Sequence, residues 1–463
     1  MNFSGSRSKG GSADIPEIDF RATDWFDKYI AYRKRHPIAP DTFDPEDFGV
    51  ESDGLQLFES VHHPLYLMLL HSGLVYGFPF IYPFKPAPAE KLKQRWVTKL
   101  TLIDITIYSV LKRLSGEHAM KLSFEEKLDR ASQVLRLYYR GLQQHAGGLP
   151  RSSIEHVLSH HISFRRNWMD WRRSGINCHL FWDWYYFLYF LEALEGGAAP
   201  SAALFEDLIA KRKAMKMLTM QLIAAAAHSD QKIQLGERVL QHHFQKSSHF
   251  FTSLEQAKIK KIFREGVDLE NLRLPRMNWV VRRYWLDISL MTVFADKEIQ
   301  EAEEQYLQRL LKKLELNEKD LLESKLALGG FLLRFGKRLP FFNSQKASIH
   351  MMSKALAENM HNIRQATRGE FRETVEMAIT FGRLLQHQLG IGKGKKLPSE
   401  EEIAQALDQM KDLPKFLPFF SIMFLPVPGI TEMYIVLAYT IERLSRDNLR
   451  LLPSRFSKMV RGK

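Results

Sequence analysis

One cysteine, Cys178, is present in 463 residues. A lone thiol excludes a disulfide framework and fits a reducing compartment inside the cell. Strand signals are nearly missing too. Hardly any stretch alternates apolar and polar residues over five positions between turn residues, which argues against a sheet-based fold. Met1 to Asp14 is rich in Ser, Gly and Lys and has no apolar core, so it reads as a disordered tail and not as a secretory signal. No nucleophile elbow, zinc-protease helix or dinucleotide fingerprint occurs. Gly390-Ile-Gly-Lys-Gly-Lys-Lys396 has glycines and lysines without phosphate-loop spacing, and no strand leads into it. Glycine is sparse, at 26 residues, and apolar residues make up 45% of the chain. That balance belongs to packed globular structure, and the length allows two to four domains.

What is abundant is helical spacing. Leu100, Ile103, Ile107 and Val110 share one face; Val134, Leu135, Tyr138 and Tyr139 form another. Ser123-Phe-Glu-Glu126 and Ser399-Glu-Glu-Glu402 have the form of capping boxes. The apolar run Phe181 to Phe190 is short for a membrane span and ends at Glu192 and Glu195, so it predicts a buried core helix. Breaks fall at Pro79 to Pro88, before Pro150, and at Gly196-Gly-Ala-Ala-Pro200. The expected fold class is all-α, built of multi-helix bundles.

Asp230-Gln-Lys-Ile-Gln-Leu-Gly-Glu237 and Asp296-Lys-Glu-Ile-Gln-Glu-Ala-Glu303 are one pattern written twice, 66 residues apart. Each reads Asp, Ile three residues on, and Glu four beyond that. Each follows an apolar run (Leu222 to Ala227, Ile288 to Ala295). Each is followed by a helix start, Thr252-Ser-Leu-Glu255 in one and Asn317-Glu-Lys-Asp320 in the other. The pattern predicts a repeated unit: an apolar helix ends near the Asp, the chain turns, and a second helix begins with Ile buried. The Asp is expected to cap that second helix, with the Glu in its first turns, where negative charge is favoured. A divalent cation held by Asp230, Glu237, Asp296 and Glu303 is the alternative use of these oxygens.

An apolar helix ending in Ala-Asp-Gly, then an Ile, then a Glu marks the TerB-like domains of tellurite-resistance and related bacterial stress proteins. Residues 211–325 resemble them, with Gln231 and Lys297 at the Gly position. The resemblance implies an all-helical module.

Two histidine pairings invite a second metal reading. His156 and His160 are four apart on one helical face, and so are His179 and Asp183; if their helices met, the four could form a site inside a bundle. The structural alternative is exposed histidines plus a His–Asp hydrogen bond.

The net charge of +13 is uneven. Residues 331–463 carry 21 Lys/Arg against 12 Asp/Glu, leaving only +4 for the first 330 residues. Basic blocks at 331–372 and 443–463 imply an anionic partner, either a membrane surface or ribosome and RNA. Between Phe416 and Ile441 the sole charge is Glu432. That length would cross a bilayer, but Pro426, Pro428 and Gly429 break it, so an apolar helical hairpin is expected. The basic residues Arg443, Arg446, Arg450, Arg455, Lys458 and Arg461 follow it. The segment resembles the membrane-proximal part of the LETM family, through the step from Pro428 to Glu432 and through Leu452-Pro-Ser-Arg-Phe456. In that family a ribosome-binding-like domain follows. A TerB-like module joined to a LETM-like end resembles bacterial LETM-related, biofilm-associated proteins.

These readings divide the chain into a tail over 1–14, an aromatic-rich helical domain over 15–205, a TerB-like domain over 211–325 and a LETM-like domain over 330–463. The expected function is non-enzymatic: a helical protein attached to an anionic membrane surface or the ribosome, cytoplasmic and peripheral at the inner face of the cell membrane. It needs no cofactor beyond a possible divalent cation, and no DNA sequence recognition or small-molecule substrate is inferred. The alternatives are a metal-binding or enzymatic bundle using the His/Asp pairs, and a plain soluble scaffold.

Overall fold

The structure is a computed structural model. It describes residues 18, 22–40, 65–66, 68–70, 72–80, 82–85, 87, 94–114, 122–145, 153–162, 179–230, 235–247, 252–296, 299–335, 339 and 351. Helices dominate them, with a two-residue antiparallel ladder, Ala39–Pro40 against Phe84–Lys85. The apolar segment 416–441, the basic residues beyond it and Ser399–Glu402 lie outside the described residues.

The chain divides into two compact units. In the first, α1 (Trp25–Arg35), α2 (Gln94–Arg113), α3 (Phe124–His145), α4 (Ile154–Ile162) and α5 (Leu180–Glu195) pack together, with α3 touching α1, α2 and α4. Of the periodic faces read from sequence, Leu100, Ile103, Ile107 and Val110 are all buried, and in the other Leu135, Tyr138 and Tyr139 are buried while Val134 is half-buried. Helix α3 starts on its capping box, where Ser123 N–H donates to Glu126 and Glu126 N–H to Ser123 Oγ. That interaction holds the Glu126 carboxyl below its usual range. Helix α5 is the apolar run at 181–190, and it is a core helix. Phe181, Trp182, Trp184, Phe187 and Phe190 are fully buried, and Trp184 Nε1 donates to Ser109 Oγ at 3.2 Å. Burying each such ring stabilises the fold by roughly 1.5–3 kcal/mol.

Helix α6 (Ala202–Ala227) begins in the first unit and ends in the second. The second unit continues through α7 (Leu235–Ser247), α8 (Ser253–Glu265), α9 (Trp279–Val293), α10 (Glu301–Lys313) and α11 (Glu318–Phe335). Residues 65–76 group with this unit and not with their neighbours in sequence. Tyr76 lies 4.7 Å, ring to ring, from Phe331.

The element boundaries recur at the repeat's offset. Helix α6 ends at 227 and α9 at 293. Helices α7 and α10 begin at 235 and 301, and each has 13 residues. Helix α8 starts on Thr252 through a complete capping box, and Asn317 and Asp320 exchange the matching bonds before α11.

The two copies pack on each other. Helix α7 lies against α9 and against the 3-10 turn Phe294–Asp296 that ends it. Gly236 makes this approach possible, since a Cβ there would stand 2.4 Å from the Ala295 carbonyl oxygen. In the other direction, Tyr306 of α10 donates to the Leu222 carbonyl of α6 at 3.2 Å. Between them, Trp285 Nε1 donates to Thr219 Oγ1 at 3.2 Å. These two residues are themselves 66 apart, as equivalent positions facing each other across a local two-fold would be.

Candidate functional site

The acidic residues of the repeat lie at the turns and helix starts. Asp230 is half-buried in the turn after α6, and Asp296 closes the turn after α9, its side chain being outside the described atoms. Asp296 does not cap the next helix as expected from the sequence. Helix α10 starts five residues later, at Glu301, and there Gln300 N–H donates to Glu303 at 2.6 Å. The cap therefore belongs to a Gln-x-x-Glu pair, repeated in sequence as Gln234 and Glu237, and Glu237 and Glu303 are both buried. Ile299 is half-buried where full burial was expected, and Ile233 is not among the described residues.

His156 is exposed on α4, and the His160 side chain is not described. His179 and Asp183 are buried at the start of α5. Asp183 is ion-paired with the buried Arg212 of α6. The Asp183 carboxylate, one of the four groups in the alternative metal reading, is thus engaged by a guanidinium. Burial lowers the affinity of Arg212 for its proton, with the Tyr138 and Tyr139 hydroxyls acting the other way. No group of three or more His, Cys, Asp or Glu side chains is placed to hold a metal among the described residues.

Two further buried polar centres, unrecognised in the sequence, organise the units. In the first, Arg33 of α1 meets Asp104 of α2 at 2.8 Å, both fully buried. Tyr29 donates to the same carboxylate oxygen at 2.5 Å, and Tyr82 does so as well. Burial is the largest single influence and opposes the charge on Arg33, but Asp104, Tyr29 and Tyr82 together outweigh it and the guanidinium stays protonated. Burial first, then Asp104, pushes the Tyr29 hydroxyl well above its usual range. In the second unit Arg283 of α9 is fully buried among carboxylates: Asp287 at 3.4 Å, Asp320 at 3.5 Å and Glu323 at 3.0 Å. Tyr66 donates to Asp287, and Trp279 Nε1 donates to Asp320 at 3.0 Å. Burial raises Asp287 despite Arg283 beside it.

The exposed charge that sequence reasoning missed lies on α8. Ile259 and Phe263 bury one face, while Lys258, Lys260, Lys261 and Arg264 are exposed on the remainder. Leu254 stands at the start of the same helix at 80% exposure. Leu254, Lys258, Lys261 and Arg264 succeed one another at spacings of four, three and three, one continuous stripe. Glu265 reaches Arg264 at 2.8 Å and Lys261 only at 3.8 Å. The signal was present as Lys258-Ile-Lys-Lys-Ile-Phe-Arg264. It was hidden because the first 330 residues average nearly to neutrality.

The fold and these surfaces define an all-helical protein with an internal two-fold helical repeat and a basic exposed helix. No protein-family model, curated protein or solved structure matches the chain.

Proposed function

We propose that this is a non-enzymatic helical protein that attaches to an anionic surface, in the first place the face of a membrane. The observation that carries the reading is the exposed surface of α8, with three cations and Leu254 in one stripe and Lys260 beside it. Each basic residue near an anionic bilayer contributes roughly 1 kcal/mol, so α8 alone would supply about 4 kcal/mol, a dissociation constant near 1 mM. Stable attachment therefore needs a second element. Arg443, Arg446, Arg450, Arg455, Lys458 and Arg461 are the natural one, together with the apolar segment 416–441 before them. The resemblances to the TerB-like and LETM families, and to biofilm-associated proteins that combine them, support the same reading. They also make the ribosome the second anionic surface to test. No helix among the described residues is long and apolar enough to cross a membrane, in keeping with peripheral attachment at the cytoplasmic side.

The test is sedimentation of the full chain with vesicles of anionic or neutral lipid, and separately with ribosomes. We expect pelleting with anionic vesicles, reversed by high salt because the attraction is screened. It should fall strongly when Lys258, Lys260, Lys261 and Arg264 are all changed to Gln. Pelleting equal on neutral lipid, or unaltered in the quadruple variant, refutes the α8 assignment. Pelleting with ribosomes alone moves the function to that surface, and pelleting with neither leaves a scaffold.

A further inference from the structure

Among the differences between the two copies of the repeat, those at the turn and at the start of the helix after it bear on a cleft. In the second, the turn after α9 carries Phe294 and Ala295, both buried, and α7 closes directly over it through Gly236. In the first, the same positions are His228 and Ser229, and the residue equivalent to Gly236 is Ala302. An open cleft of about 460 Å³ lies over the first copy's turn, within the size range of small-ligand sites.

Its floor is the end of α6 with His228 and Ser229; one wall is the chain after α8, from Glu265 to Leu269; the other is Tyr306 and Arg309 of α10. Lys313 Nζ donates to the Glu270 carbonyl at 3.0 Å and ties α10 to the chain that follows α8. The His228 ring is fixed: Nε2 meets the Phe263 carbonyl at 3.1 Å, and the ring lies flush against Gly266, where a Cβ would come within 2.7 Å of it. A carbonyl only accepts, so Nε2 carries the proton.

The charges on the walls are not equally free. Glu265 is paired with Arg264 and Lys261. Asp268 uses both oxygens, accepting from Glu270 N–H at 3.1 Å and from Asn271 Nδ2 at 3.2 Å. Arg309 is exposed and forms no ion pair among the described residues, and Ser229 Oγ is buried with no hydrogen-bond partner. Both carboxylates lining the cleft are thus engaged elsewhere, and a cation that neither pairs with favours an added anion.

We infer that the cleft over the first copy's turn binds a small organic oxyanion, a phosphate or carboxylate on a compact polar body. The anionic group pairs with Arg309, and the body lies over the turn at His228 and Ser229. This site is independent of surface attachment through α8 and is read with soluble probes.

The experiment is calorimetric titration of the full chain with glycerol phosphate, glutarate and inorganic phosphate. Saturable binding of one of the two organic anions is expected, and which one binds identifies phosphate or carboxylate as the natural group. Arg309→Gln should weaken it about tenfold or more, as for a lost charge-assisted hydrogen bond. Arg273→Gln, an exposed cation outside the cleft, should leave it unchanged. Each variant is first shown to keep the wild-type helical circular dichroism. The inference is overturned if neither organic anion saturates, if inorganic phosphate binds as well as both, if Arg309→Gln binds like wild type, or if Arg273→Gln loses as much.

Discussion

Gly236→Ala should destabilise the second unit even though the change favours helix formation. Gly236 is the second residue of α7, and an alanine methyl there would lie 2.4 Å from the Ala295 oxygen and 3.0 Å from its carbonyl carbon. Ordinary contact begins near 3.4 Å, so about 1 Å must be found by moving backbone. No side chain can rotate away, because both clashing atoms belong to a turn that is itself buried. Forcing an extra carbon into such a contact costs roughly 1–3 kcal/mol. Against this stands the helix preference of Ala over Gly, ~1 kcal/mol in a helix interior and less in a first turn. The net expectation is a loss of about 1–2 kcal/mol. The comparison is Ala302→Gly at the equivalent position, where only the helix preference is given up, at most ~1 kcal/mol. Urea unfolding should be followed by circular dichroism and by tryptophan fluorescence together, since a chain of two units need not unfold in one step. A Gly236→Ala protein as stable as the wild type, or more so, would show that α7 does not bear on the Ala295 turn and that the packing of the copies is wrong.

Other perturbations follow from the buried polar centres. Arg283→Met leaves Asp287, Asp320 and Glu323 without their cation and should cost about 3–5 kcal/mol at neutral pH, the usual penalty for one partner stranded in the interior. The deficit should shrink on acidification as Asp287, whose carboxyl burial pushes up, takes up a proton, whereas a pH-independent loss would point to simple packing. Buried tyrosines set the alkaline limit. Burial pushes Tyr138 up to about 12 from an ordinary 10.0, and Tyr29, Tyr66 and Tyr76 are also raised. A raised folded-state value contributes stability that is whole below about pH 10 and is lost as pH climbs through the folded value. Tyrosinate absorbance should therefore rise together with loss of helical circular dichroism above about pH 10; titration of most tyrosines near 10 with the helices intact would refute their burial.

Much of the architecture was legible from residue order because its causes are local. A capping box needs only four residues, and Ser123 to Glu126 forms the bonds its letters imply. The aromatic run at 181–190 was too short to span and too apolar to face water, and it is a core helix. The 66-residue repeat reappears in the helix boundaries because the same caps and apolar runs start and stop both copies. One local reading went astray at Asp296. An Asp beside a helix start looks like its cap, but the turn holds it too early, and the Gln300–Glu303 pair has the right spacing.

What residue order did not convey is which faces meet. The period of a helix tells which side is buried but not what covers it. Arg33 and Asp104 are 71 residues apart, and Arg283 draws in Glu323 from 40 residues away. His179 and Asp183 looked like half of a metal site, and only the packing of α6 brought Arg212 to that carboxylate. Gly236 likewise acquires meaning only once it is seen to lie against the Ala295 turn of the other copy. Local propensities and caps, acting through nearest neighbours, determine helices and their ends. Charge pairing, close approach and open space depend on distances between elements, and those exist only when the chain is folded.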